Sequence, residues 1–186
     1  VIKAKGDFSV LTKFSERFGF YNNLVISGRV LWVHAVSVGE TIAASVMIQQ
    51  LLQELPEYKI LLSVTTASAR AKANVIFADH KDATVIYFPY DIISAITRFL
   101  AKFDVALVII METEVWPNLY TKLSQKNIPI LLANARLSAK SCKKYAKFRN
   151  FFAGVFASIT HIAAQDETDV KRFIFMGAIA SNIRVL

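Results

Sequence analysis

A single cysteine, Cys142, stands among 186 residues. It excludes an internal disulfide and fits a reducing compartment. The 3 histidines are too few and too scattered to suggest a zinc site. No G-x-G-x-x-G follows the first strand-like run, and no G-x-x-x-x-G-K-[ST] occurs, which disfavours dinucleotide and Walker-type nucleotide binding. The longest uncharged apolar run, VALVIIM at 105–111, is far too short to cross a bilayer. The opening stretch VIKAKGDFSVLTKF has no apolar signal-peptide core. There is no low-complexity tract and no Pro/Gly-rich linker. Acids are the minority charge, 14 against 22 basic residues, for a net charge of +8. That balance favours an anionic partner (phosphate, nucleic acid or an acidic membrane face) without choosing among them.

What remains is rich in core-forming residues, 54% hydrophobic, in a length that suits one domain or one domain plus an arm. Short apolar runs recur, each followed by an amphipathic stretch. RVLWVHAV (29–36) precedes a helix over 40–54. YKILLSVT (58–65) precedes TASARAKANVIFADH, and ATVIYF (83–88) precedes DIISAITRFLAKF. DVALVIIM (104–111) precedes VWPNLYTKLSQKN. IPILLANA (128–135) leads to a long helix from about Ser138, and ITHIAA (159–164) to DETDVKRFIFMG. A last short strand is expected near 182–186. Six strand–helix units imply an α/β fold, a Rossmann-like parallel sheet with helices on both faces. The near-continuous apolar strands agree, because parallel strands are covered on both sides. Residues 1–27 read as an N-terminal arm, helical and amphipathic over DFSVLTKFSERFGF, leading into a domain over 28–186.

Ligands of such sheets bind outside the carboxyl ends of the strands, where polar residues collect here. SVGE (37–40) has capping-box spacing: Ser37 could accept from the Glu40 amide while Glu40 reaches back to the Ser37 amide. The alternative is a general base, a carboxylate favoured by a helix N-terminus, with Gly39 allowing close approach of a substrate to the backbone. METEVWPN (111–118) carries Glu112 and Glu114 at i and i+2. A strand continued through them would point both the same way, and one would have a raised pKa. Otherwise they are helix N-terminal acids ahead of Pro117. In NARLSAKS (134–141), Asn134 and Arg136 follow a strand and Ser138 fits an N-cap. Arg136 could grip a phosphate or carboxylate, or pair with a nearby acid. The next helix is basic without acids. Lys140, Lys143, Lys144 and Lys147 share a face beside Tyr145, Phe148 and Phe152, which suits an anionic membrane or phosphorylated lipid, or is simply a solvated face over a core-facing stripe. No nucleic-acid-binding motif accompanies the charge. His34, inside an apolar strand, reads as a satisfied structural histidine.

Taken in order, ERFGF, WVHAVSVGE, METEVWPN, NARLSAKS and QDETDVKRF resemble the N-terminal half of the 3-deoxy-D-manno-octulosonic acid (Kdo) transferases of lipopolysaccharide synthesis. The resemblance implies the N-terminal half of a GT-B glycosyltransferase, inverting and metal-independent, without a cofactor. This domain would hold the lipid A precursor. A C-terminal domain, after Leu186, would hold CMP-Kdo. The expected setting is the cytoplasmic face of the bacterial inner membrane, with the family's hydrophobic anchor lying before Val1. By resemblance Glu40 is the proton acceptor, Glu112 the second acid with Glu114 as its rival, and Arg184 of SNIR takes the place of a family lysine. SVTTASAR departs from the family's Thr/Gly-rich version. The isolated domain is expected to be inactive in transfer. The competing reading is a non-catalytic α/β module that binds a phosphorylated ligand or an anionic membrane.

Overall fold

The computed structural model describes residues 13–21 and 24–186. Seven strands build one sheet: β1 (Val30–Ala35), β2 (Lys59–Val64), β3 (Ala83–Tyr87), β4 (Val105–Met111), β5 (Ile130–Ala135), β6 (His161–Ala164) and β7 (Ile183–Val185). They lie in the order β3-β2-β1-β4-β5-β6-β7, and every neighbouring pair is parallel. The helices of the described residues are α1 (Val38–Glu54), α2 (Ala67–Ile76), α3 (Ile93–Lys102), α4 (Pro117–Gln125), α5 (Ala139–Ala146), α6 (Arg149–Ala157) and α7 (Glu167–Met176). The Rossmann-like α/β sheet expected from the apolar runs is the one observed.

The two faces of the sheet bury different helices. Trp32, Val108, Ile110 and Leu132 meet Phe99 of α3, Tyr120 of α4, Phe156 of α6 and Phe173 of α7. Leu31, Val33, Ile60, Leu62 and Ile109 meet Ala44 and Ile48 of α1 and Ala69 and Ala73 of α2. β1 therefore alternates between two cores. That is why RVLWVHAV is apolar throughout instead of at every second residue.

Two stretches differ from expectation. The helix after Ser138 is two helices, broken at Lys147 and Phe148. In one straight helix Tyr145 and Phe156 would be about 16 Å apart along the axis. In the folded chain α6 turns back, and their rings lie 6.1 Å apart, with Phe152 at 4.8 Å from Tyr145. Burial of Tyr145 against α6 accounts for the break.

The arm is the second difference. Residues 1–12, 22 and 23 lie outside the described residues. Of the rest, only Phe14–Phe18 is helical, as a 3-10 turn closed by Gly19 at φ 80. A side chain at 19 would collide with the Ala95 carbonyl, so the tight turn and close approach require glycine there. ERFGF is bound to the β3 side of the sheet by distant groups. Glu16 takes two bonds from Arg70 at 2.7 and 3.1 Å and one from the Tyr87 amide at 2.7 Å. Arg98 holds the Phe18 carbonyl.

The strand order fixes where a ligand crevice forms. The chain winds outward from β1 to β3, then crosses to β4 on the other side of β1 and winds the opposite way. The two halves diverge between β1 and β4, the topological switch point of the sheet. The loops leaving those strands are SVGE and METE.

Candidate functional site

Ser37 is the N-cap of α1, and its Oγ accepts from the Glu40 amide at 3.2 Å. The other half of the expected box is displaced by one residue: Glu40 Oε2 accepts from the Val36 amide at 2.8 Å. Among the described residues the second carboxylate oxygen of Glu40 has no hydrogen-bond partner, and the residue is half-buried. Glu40 thus caps with one oxygen and presents the other. Gly39 is exposed and sits within the helix. A Cβ there would meet only Ser37 Oγ at 3.8 Å, so its role is to leave space and not to permit an unusual φ.

β4 ends at Met111, and the strand does not run on through the acids. Glu112 turns into the left-handed region at φ 56 while its amide still reaches the Ala133 carbonyl at 2.8 Å. The i, i+2 alternation is lost: Glu112 is exposed and Glu114 half-buried. Nor do these acids cap α4. Asp91 does so, accepting from the Asn118 and Leu119 amides at 3.1 and 2.8 Å. A non-glycine residue at positive φ is strained, and Asn134, next door on β5, repeats the feature at φ 54.

Glu40, Glu112 and Glu114 form one electrostatic group. Burial pushes the Glu114 carboxyl above its ordinary value, and the carboxylates of Glu40 and Glu112 push it further. Glu114 in turn acts, after burial, on the Tyr145 hydroxyl and raises it. Its backbone carbonyl accepts from the Tyr120 hydroxyl at 2.7 Å. Neither tyrosine is marked by a motif, because both come from the inward faces of α4 and α5.

Asn134 receives the Gln165 amide nitrogen on both its backbone and side-chain oxygens, at 3.2 and 3.1 Å. The Arg136 amide donates to Thr113 Oγ1 at 3.2 Å, tying the NARLS loop to METE. Its side chain is exposed and forms no ion pair among the described residues. Ser138 caps α5. Lys140, Lys143, Lys144 and Lys147 are all exposed, whereas Tyr145 and Phe152 turn inward. Arg184 is exposed on β7, in register with Ala163. It lies four strand positions from β1, about 19 Å at about 4.8 Å per strand. The structure does not bring it to the acids.

His34 is buried beneath the site. Its Nδ1 lies 2.9 Å from Ser63 Oγ and 3.1 Å from the Ser63 carbonyl, while Nε2 has no partner. Burial pushes its pKa down to about 3, so the ring is neutral. No group of three or more His, Cys, Asp or Glu among the described residues is arranged to hold a metal ion. None of their helices is long and apolar enough to cross a membrane.

Two solved UDP-N-acetylglucosamine 2-epimerases share this fold. The Neisseria meningitidis enzyme, bound to UDP-GlcNAc, aligns with a TM-score of 0.57 at 14% identity, over 84% of this chain and 45% of that one. A second aligns at 0.56 and 15%, over 85% and 46%. By sequence, the 3-deoxy-D-manno-octulosonic acid transferase of Haemophilus influenzae is 37% identical over 166 residues. That covers 89% of this chain and 38% of the relative. The Bordetella pertussis transferase is 35% identical over 157 residues, covering 82% and 36%. A bifunctional glycosyltransferase/methyltransferase of Fusobacterium nucleatum is 31% identical over 153 residues, covering 82% and 24%. The chain thus spans less than two fifths of the length of these relatives. A family model described as 3-deoxy-D-manno-octulosonic-acid transferase (kdotransferase) matches residues 12–186. The motifs gathered at the switch point, SVGE and METE, lie within that match, and the chain belongs to the Kdo transferase family.

Proposed function

We propose that the β1/β4 crevice is the acceptor half of a glycosyltransferase site. It would receive the sugar hydroxyl of a lipid A precursor, with Glu40 as general base for transfer of Kdo from CMP-Kdo. The observation that carries this reading is the convergence of three carboxylates at the switch point, one of them with an oxygen left open beside a helix N-terminus. The Val36 amide and the start of α1 set positive partial charge against the Glu40 carboxylate. That fixes its orientation while the free oxygen takes the proton from the attacking hydroxyl. As that O–H bond breaks, the oxygen bonds to the anomeric carbon, and CMP leaves from the opposite face with its electron pair, inverting the centre. No metal is needed for this proton transfer.

Burial, with the carboxylates of Glu40 and Glu112 beside it, holds the Glu114 carboxyl above its ordinary value, and Glu114 stands on the METE side of the crevice as a second contact for the acceptor. Glu112 is the exposed acid that can meet an incoming sugar. Arg136, Asn134 and the capped start of α5 provide an anion site for an acceptor phosphate. Arg184 stands away from the proton transfer, where it can face the donor. The CMP-Kdo site belongs to a donor domain of the kind the relatives have room for, and this chain alone is inactive in transfer. An anionic membrane, at the cytoplasmic face of the inner membrane, supplies the acceptor.

The test is a chimaera in which this chain replaces the matching part of the Haemophilus influenzae transferase. Glu40→Gln keeps an oxygen for the Val36 amide and so retains the fold, but it cannot take a proton. Turnover should fall by about 100- to 10,000-fold, with the melting temperature nearly unchanged. Near-normal transfer by the Gln variant would end the general-base assignment and favour a non-catalytic binding module.

A further inference from the structure

The lysines of α5 are accompanied by an exposed aromatic pair: Phe148, which helical periodicity placed beside the lysine face with Tyr145 and Phe152, and Phe151, which it did not. The break between α5 and α6 leaves Phe148 67% exposed and Phe151 61% exposed. Together with Lys147 and Arg149 they line an open hollow of about 360 Å³. Lys143 and Lys144, on the last turn of α5, are exposed as well, and no Asp or Glu occurs anywhere between Glu114 and Asp166. Tyr145 and Phe152, by contrast, turn into the core. The aromatic residues of this segment therefore divide: Tyr145, Phe152 and Phe156 pack into the core, while Phe148 and Phe151 stay largely exposed, the Phe151 ring edge-on to Phe152 at 5.1 Å.

Two solvent-facing phenylalanines in a hollow lined by Lys147 and Arg149, on a stretch of chain with no acid, match an anionic lipid bilayer, which has negative charge at its surface and apolar chains just beneath. We propose that the α5–α6 turn is a membrane wedge. Phe148 and Phe151 enter the acyl region while Lys143, Lys144, Lys147 and Arg149 meet lipid phosphates. This rests on the reading of an anionic membrane as partner, and adds the residues that insert. It also sets a geometry. α5 starts beside Arg136 at the crevice edge and ends at the wedge, about 12 Å on. A lipid acceptor could then reach the crevice with its headgroup while its chains stay in the bilayer.

The experiment is vesicle flotation of the 186-residue chain with mixed phosphatidylglycerol–phosphatidylcholine vesicles and with pure phosphatidylcholine vesicles. The protein should float with the mixed vesicles and far less with the neutral ones. Phe148→Ser combined with Phe151→Ser should weaken partitioning by about tenfold for each residue, with the circular-dichroism spectrum retained because both side chains are exposed. The control, Ile42→Ser with Val46→Ser on the exposed face of α1, should bind as wild type. In Phe148→Trp the added emission should be quenched by acyl-chain-brominated lipid. If Lys143, Lys144 and Lys147→Gln abolishes flotation while the serine pair floats as wild type, the wedge is overturned and a purely electrostatic membrane contact stands. If wild type floats with neither vesicle, both the wedge and the membrane reading are overturned. A concentration-dependent dimer that the serine pair dissolves, without any change in flotation, would assign the face to self-association and overturn the wedge. None of these outcomes bears on the role of Glu40.

Discussion

Glu16→Ala should be among the most damaging substitutions in this protein, although Glu16 lies in an irregular segment far from the switch point. Its partner, Arg70, has a side chain only 7% exposed, and that of Glu16 is 14% exposed. Removing the carboxylate leaves the guanidinium with the Val85 carbonyl at 3.1 Å and the face of Tyr87, and leaves the Tyr87 amide without an acceptor. Stranding one member of a buried pair costs about 3–5 kcal/mol, a large part of the ~5–15 kcal/mol that stabilises a typical domain. At about 2–4 °C per kcal/mol for a chain of this size, the melting temperature should fall by roughly 6–20 °C. Urea titration followed by circular dichroism would show the midpoint displaced with an unchanged slope. Glu16→Leu combined with Arg70→Met leaves no charge without a partner and should recover part of the loss. The more exposed Lys59–Asp82 pair, at 33% and 37% side-chain exposure, is the internal reference: Asp82→Ala should move the melting temperature far less, because solvent screens that pair. If Glu16→Ala moved it no further than Asp82→Ala, the view of ERFGF as a structural clamp would be wrong.

Asp91→Ala removes the acceptor of two α4 amides, Asn118 and Leu119, and should cost about 1–2 kcal/mol in chemical denaturation. Glu114→Gln should act on stability with a definite pH sign. Because the folded state raises the Glu114 pKa above its ordinary 4.5, the wild type is penalised once that group ionises and is free of the penalty below 4.5. The Gln variant should therefore be the more stable of the two near neutral pH, and the difference should shrink as pH falls towards 4.5. Denaturation midpoints across that range would check it, and a difference independent of pH would show that neither burial nor the neighbouring carboxylates raise the Glu114 pKa in the folded chain.

The sheet was legible because each strand is buried on both faces, so burial writes a continuous apolar run that needs no partner to be recognised. The helix N-terminus at Ser37 was legible for a similar reason, since a cap and its acceptor lie three residues apart. What escaped the sequence was set by contacts between distant residues. The Glu16–Arg70 pair spans 54 positions and the Asp91 cap of α4 spans 27. The break at Phe148 has no proline or glycine to announce it and follows from Tyr145 meeting Phe156. The geometry of METE escaped because the strand ends one residue before the first acid. Alternation then no longer applies, and side-chain direction is decided by a left-handed turn that glutamate seldom adopts.

That turn has a consequence for anyone redesigning the chain. Glycine at 112 would relax the backbone, gaining on the order of 1 kcal/mol, and a search for thermal stability would choose it early. The same choice deletes a carboxylate from the rim of the crevice. Under the proposed function, stability engineering and sugar recognition pull this position in opposite directions, and variants selected only for heat tolerance would drift away from the carboxylate that the left-handed turn displays.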